Sequence, residues 1–398
     1  MTTVPTSSKY TSVDGEFGEA CAQTALLFLA IIDFGAPLIA SPPPDARRHL
    51  SVQLKVALDV VRSLAALLVV FQHVGGEKVP QLGLLSRFGQ EAVMVFFLLS
   101  GFLIFANEER RAHDLSGYFL RRVRRILPLM LIAFMVSVLV SWTAGTLSAE
   151  FSWAELAGNL MALQDVASLK PGVIVQPFLG NDPLWSLSYE IAFYIIFPFL
   201  LPAWRMAPRG TTLAVGLLCC GCYAVYVIQP NHLALVGAYF LLWWSGAMVA
   251  EAYLAGFRSC RHLPLVMGSL ALLLIISVVD LIVRGFTGLG LYPFLMVRHF
   301  LVVILLIIIG FSPLGRWIVQ SLLPFARPGA VFSSISYGIY VLHYPLMIKS
   351  PLSESILGFL GMTVLTFALA WLFDRKLNEV MPKPKPGQLQ IKASAKLV

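Results

Sequence analysis

Charge is what this sequence is short of. Lys, Arg, Asp and Glu make up only 13% of its 398 residues, about half the share of a soluble domain. So few charges cannot solvate the surface of a globule this large, and a multidomain soluble protein is excluded. Disorder and coiled coil need still more polar sequence and fall with it. Cysteines are few and odd in number: five, with Cys219, Cys220 and Cys222 crowded into one apolar stretch. That pattern implies no disulfide framework. It implies no metal site either, because four ligands of suitable type are not at hand. The chain also lacks an internal repeat, a Walker loop and a dinucleotide-binding turn. What it has in abundance is apolar residue, 58% of the total, with a mean hydropathy of +0.79. By composition it is an integral membrane protein.

A transmembrane helix takes about 20 mostly apolar residues. Runs of that size recur at 57–74, 90–106, 126–147, 184–203, 211–228, 233–255, 264–283, 291–311, 331–348 and 354–373. The predicted fold is an all-α bundle of about ten transmembrane helices over residues 54–374. An earlier apolar stretch, 22–40, holds Asp33 and Pro37 and lacks the basic flank of a secretory signal. It is either an extra span or an interfacial segment. Residues 1–53 otherwise read as an N-terminal extension and 375–398 as a short basic tail. No soluble domain is expected at either end.

The net charge of +8 resembles a nucleic-acid signal until the charges are placed. Cytoplasmic loops of membrane proteins collect Lys and Arg. One set of loops holds Arg110, Arg111, Arg121, Arg122, Arg124, Arg125, Arg205, Arg209, Arg258, Arg261, Arg316, Arg327 and the basic tail. The other set holds only Lys78, Arg87, Lys170, Arg284, Arg298 and Lys349. The imbalance is three to one and predicts a cytoplasmic C-terminus, with 148–183 as an outer loop. No nucleic-acid partner is implied.

Ionisable residues inside a bilayer are functional candidates by default. Arg62 and His73 lie eleven residues apart in the first span. They return to the same helix face within about 20° and stand about 16 Å apart along the axis. Asp59, three residues before Arg62, is placed to pair with it. Arg121, Arg122, Arg124 and Arg125 open the third span; they serve as a lipid anchor or as a phosphate clamp, since the arginine fork suits phosphate oxygens. Glu190 sits inside an apolar run behind Trp185, where it must find a cation, stay protonated or take part in chemistry. Ser336, Tyr340 and His343 fall at i, i+4 and i+7 in the ninth span, a stripe suited to helix–helix hydrogen bonds or to catalysis. His49, His113, His232, His262 and His299 lie in loops or at span ends and read as background.

These residues together resemble the acyltransferase-3 family of ten-span membrane acyltransferases over roughly 54–373. Arg62 and His73 match its Arg-x10-His. Tyr118 to Pro128 match its Phe-Leu-x-x-Arg-x-x-Arg-Ile-x-Pro element, with Arg122 and Arg125 best aligned. Trp185 to Glu190 match its Trp-Ser-Leu-x-x-Glu segment, and Ser336 to Pro345 its Ser-Tyr-x-x-Tyr-x-x-His-x-Pro element. Two departures stand out: Ile191 replaces the second Glu of many members, and the N-terminal extension is unlike the family's usual start. No esterase-like domain of the kind some members carry is expected.

The resemblance implies transfer of an acyl group, usually acetyl from acetyl-CoA, to a hydroxyl of a glycan or glycolipid at a bacterial inner membrane. Family acceptors include O-antigen, exopolysaccharide, lipochitooligosaccharide signals and macrolides. On that reading His73, Arg62 and Glu190 are the candidate catalytic residues. The four arginines take the acyl-CoA phosphates, and Trp185 and Trp153 offer faces to the acceptor. Imidazole suits a general base near neutral pH; whether His73 deprotonates the hydroxyl or carries the acyl group stays open. Asp59, Ser336, Tyr340 and His343 are secondary candidates. The competing class is a secondary transporter, which would be expected to show two similar halves.

Overall fold

The computed structural model describes residues 49–79, 85–109, 114–256 and 262–377. The segment 22–40, Arg110, Arg111, His113, Arg258, Arg261 and the basic tail past 377 lie outside them. The described residues are mostly helical, with one isolated bridge between Gln164 and Val175 and no strand. The helices are α1 (Val52–Glu77), α2 (Gly89–Glu108), α3 (Leu115–Thr143), α4 (Trp153–Leu160), α5 (Trp185–Met206) and α6 (Pro208–Ile228). They continue with α7 (His232–Leu254), α8 (Leu263–Arg284), α9 (Phe294–Phe311), α10 (Pro313–Leu322), α11 (Ala326–His343) and α12 (Ile356–Ala370).

Among the described residues nine helices are long and apolar enough to cross a membrane. The protein is a multi-pass, all-α membrane bundle. The helix holding the first predicted span, α1, is not one of the nine. It is long enough, at 26 residues, but Lys55, Asp59, Arg62, Gln72 and His73 punctuate it. Polar caps fix where several helices begin. Ser51 Oγ accepts from Leu54 N at 3.1 Å, Asp114 Oδ1 from Gly117 N at 2.9 Å and Asn231 Oδ1 from Ala234 N at 2.8 Å. Each satisfies a donor that the helix itself leaves orphaned. The Asp114 cap starts α3 well before the predicted span, so Arg121 to Arg125 ride on the helix and not on a loop.

Two pairs of helices frame the interior. The first is α2 against α7, where glycine brings backbone to backbone. A Cβ on Gly101 would stand 1.9 Å from the Trp243 carbonyl oxygen, and one on Gly246 would stand 2.0 Å from that of Leu98. Only glycine fits either place, as membrane helices that pack by close approach require. The second pair is α1 against α11, which run in the same direction. Near their starts Ser333 Oγ donates to Asp59 at 2.8 Å and Ser63 Oγ bonds the Gly329 carbonyl at 3.0 Å. Near their far ends the His73 and His343 rings meet, 5.4 Å apart. Helix α3 and the turn after α12 close the bundle at the end where α1 and α11 begin.

At the opposite end the chain between α3 and α5 folds down as a plug. Asn159 bonds the Gln176 carbonyl (2.8 Å) and the Phe178 N–H (3.0 Å), while Gln164 bonds the Leu184 carbonyl (2.9 Å) and Asn181 that of Val341 (3.1 Å). Ala162 (φ 56°) and Leu179 (φ 50°) are held in left-handed backbone despite carrying side chains. Such strain persists only where surroundings over-determine it, and Lys349 Nζ grips the Leu179 carbonyl at 2.9 Å.

Candidate active site

A cavity of about 480 Å³ opens between α1, α2, α3, α5 and α11, within the size range of small-molecule sites. Its lining collects Arg62, Arg121, Arg122, Arg124, Arg125, Glu190, Ser336 and Tyr340. Eight of the residues singled out by sequence, from four separate motifs, thus share one space.

The arginines stand at one end, on the first turns of α3. They are not bare cations. Glu108, buried at the end of α2, takes Arg121 at 2.6 Å and Arg122 at 3.2 Å. Asp374, fully buried, takes Arg125 Nη1 at 2.5 Å and accepts from the Gly338 N–H at 3.0 Å. The guanidinium of Arg122 also lies 5.6 Å from the Tyr194 ring centre, and that of Arg125 lies 5.5 Å from that of Tyr337. Carboxylate and ring together fix the direction of each fork. Arg62 differs: no carboxylate within the described residues comes within 4.0 Å of it. The expected Asp59–Arg62 pair is absent, because Asp59 turns instead to Ser333 Oγ.

Along α5 the lining runs Tyr194, Glu190, Ser186. Eight helical residues span about 12 Å, which carries the cavity from the arginines towards the plugged end. Glu190 is half-buried, and among the described residues no cation lies within 4.0 Å of it. Its Oε1 accepts from the Tyr194 hydroxyl and from Ser100 Oγ (3.1 Å), and Trp243 Nε1 donates to Ser100 Oγ at 3.2 Å. At the far end Tyr340 closes the space, its hydroxyl bonded to Ser186 Oγ (2.8 Å) and the Pro183 carbonyl (2.7 Å).

His73 and His343 do not line the cavity. They lie past Tyr340, where the His343 ring sits 6.4 Å from that of Tyr340 and the His73 ring packs edge-on to Tyr344 at 4.9 Å. Trp185 is no acceptor face. It is 4% exposed, and Lys170 Nζ sits 3.8 Å above its ring. Trp153, 76% exposed, stands on α4 against Phe151, outside the cavity.

Sequence reasoning passed over several residues that shape this site. Tyr194 could have been found as the i+4 neighbour of Glu190. Asp374 was visible as the last acid of the final span, beside Arg375. Glu108 and Ser100 carry no signal of their own. Reading His232 and His299 as background missed a second buried network in the plug. There Lys170 Nζ meets Asp165 Oδ1 at 2.7 Å, Tyr189 donates to Asp165, His232 Nδ1 lies 3.5 Å from it, and Tyr239 bonds His299 Nδ1. Burial opposes ionisation of Asp165. The Lys170 ammonium, hydrogen bonds from Lys170 and Tyr189 and the nearby His232 ring outweigh it and hold the carboxyl below the usual aspartate range. Among the described residues no group of three His, Cys, Asp or Glu side chains is placed to hold a metal ion.

Residues 55–375 match the family model for the acyltransferase-3 domain. The chain belongs to the acyltransferase-3 family. Among its curated relatives is an acyltransferase of Streptomyces mycarofaciens, 33% identical over 34% of this chain and 36% of the relative. Nodulation protein 10 of Rhizobium leguminosarum bv. viciae is 26% identical over 42% and 50% of the two chains. An O-acetyl transferase of Shigella phage Sf6 is 26% identical over 35% and 43%. The chain thus spans half or less of the length of each relative. No solved structure matches it.

Proposed function

We propose that the protein is a membrane O-acyltransferase that takes an acyl group, acetyl in the first instance, from acyl-CoA on the cytoplasmic side. The acceptor is a hydroxyl of a glycan or glycolipid of the exopolysaccharide, O-antigen or lipochitooligosaccharide type. The observation that carries the reading is the cavity. Four arginines crowd one end, and a slot runs past Arg62 and Glu190 to Ser186 and Tyr340. A CoA thioester is a polyanion on a long neutral arm, and its shape matches that charge gradient. Arg122 and Arg125 take the phosphates. Arg62, with no carboxylate beside it, faces charge further along the arm.

In the transfer step the acceptor oxygen attacks the thioester carbonyl carbon and the carbon–sulfur bond breaks. The hydroxyl proton leaves through His73 and ends on the CoA thiolate. Tyr340 stands between slot and histidine, so its hydroxyl must leave Ser186 and Pro183 for the two to meet. The chain sits in a bacterial inner membrane with its C-terminus in the cytoplasm, and the plug faces the other side.

Purified protein incubated with labelled acetyl-CoA and a chitooligosaccharide should release CoA and label the sugar. Failure with several glycan and macrolide acceptors, together with no CoA release, would overturn the reading. Sidedness has its own check. Lys170 is 1% exposed and useless for labelling, but its neighbour Ser168 is exposed. A cysteine at Ser168 should react with an impermeant reagent from outside, and one near Lys385 should not.

A further inference from the structure

His343 is buried to 0% exposure at the end of α11. Its Nδ1 lies 3.0 Å from the Ile339 carbonyl oxygen one turn back. A carbonyl can only accept, so Nδ1 carries the proton and Nε2 is left with a lone pair. That Nε2 is a buried nitrogen with no hydrogen-bond partner in the structure, a costly condition that asks for a reason. Three rings lie around that of His343, measured centre to centre: His73 at 5.4 Å, Tyr340 and Tyr344 at 6.4 Å each. His73 is the nearest. The hydroxyl of Tyr340 is committed elsewhere. The nearest ring that can bring an N–H to that lone pair therefore belongs to His73.

We infer that His343 is a positioning residue: its Nε2 accepts a hydrogen bond from one ring N–H of His73. The other His73 nitrogen is thereby left unprotonated and turned towards the acceptor hydroxyl. The inference rests on His73 being the base of the proposed transfer. The backbone carbonyl of Ile339 sets the tautomer of His343, and His343 sets that of His73. When His73 takes the hydroxyl proton it becomes a cation with Nε2 of His343 already facing its other N–H. The proton then passes from His73 to the departing thiolate, and the pair returns to its first state. Edge-on packing of Tyr344 holds the plane of His73 while this happens.

Two substitutions separate position from mere packing. In His343→Asn the amide N–H can still reach the Ile339 carbonyl, but nothing occupies the place of Nε2. In His343→Gln the longer amide puts an oxygen near that place, able to accept from His73. CoA release from acetyl-CoA, with chitotetraose as acceptor, should show His343→Asn losing kcat on the order of 10²-fold. Its KM for acetyl-CoA and its amount of folded protein should stay at parental values. His343→Gln should recover a large part of that kcat. Normal kcat in His343→Asn would overturn the inference. So would activity losses in both variants that merely follow the loss of folded protein. His73→Ala keeps the two ideas apart: if it too turns over normally, the base assignment itself has failed. If it is dead while His343→Asn is normal, only the positioning role is lost.

Discussion

The two ends of the bundle handle charge in opposite ways. At the arginine end, ionic groups surround open space, and their carboxylate partners hold them at its rim. At the plugged end, Asp165 and Lys170 of the loop itself neutralise each other among aromatic rings. Both ends contain cations next to tyrosine and tryptophan. The difference is geometric: a guanidinium can be tied by one carboxylate and still present its remaining N–H groups, whereas the Lys170 ammonium spends its charge on one buried partner. One arrangement is built for binding, the other for closure.

Substitutions should break that contrast unevenly. The largest effect on chemistry belongs to His73, where the acyl path and the plug meet. His73→Ala should cost at least on the order of 10²–10⁴ in rate with normal accumulation, measured as acetyl transfer by purified protein. The largest effect on stability belongs to the plug. Lys170→Met leaves the buried Asp165 carboxylate without its cation and should cost about 3–5 kcal/mol in denaturant or thermal unfolding. Asp165→Asn together with Lys170→Met should recover most of it, because neutral groups need no counterion. The pH dependence has a definite sign. Asp165 is held below its ordinary pKa, so the pair's contribution is complete above the usual aspartate range and is lost as pH falls through the depressed value. The gap in melting temperature between wild type and Lys170→Met should therefore narrow under acid conditions.

Effects on turnover at the arginine end should be smaller and should fall on KM, while Arg125→Ala should also lower stability because fully buried Asp374 loses its cation. Removing Arg122 or Arg125 forfeits charge-assisted bonds of about 1.5–3 kcal/mol each, or roughly 10–100-fold in KM for acetyl-CoA. Lys at either place should restore only part, since a point charge cannot fork. Equal KM values across the set would reduce the cluster to a lipid anchor. Smallest of all, Trp153→Ala should shift stability and turnover by no more than about 0.5 kcal/mol, in keeping with a side chain on the outside of α4.

What the sequence made legible follows from what repeats along a chain. Span-length apolar runs and basic loop ends announce themselves locally, so the helices could be read off. Arg62, Glu190 and Tyr340 were visible because a polar residue in an apolar helix is conspicuous. Their partners were not, because partnership depends on which helices touch. Nothing near Asp59 in the sequence points to Ser333, and nothing near Arg125 points to Asp374, 249 residues away. Burial also reverses local impressions. Trp185 was read as a face for the acceptor, but Lys170, from the loop that leads into α5, covers its ring.

The glycine seam between α2 and α7 sets a clock. Trp243 reaches Ser100 across 143 residues of sequence, and translation adds about 5–20 residues each second. For about 7–30 s after Ser100 is made, α2 has no α7 to lie against. Its flat glycine face and the Ser100 hydroxyl must be shielded during that interval by lipid, by the insertion machinery or by earlier helices. The seam thus closes well before the α1–α11 pair, whose Asp59–Ser333 contact spans 274 residues, and the arginine cavity, which takes walls from α2 and α11, cannot reach its final shape until both pairs are made.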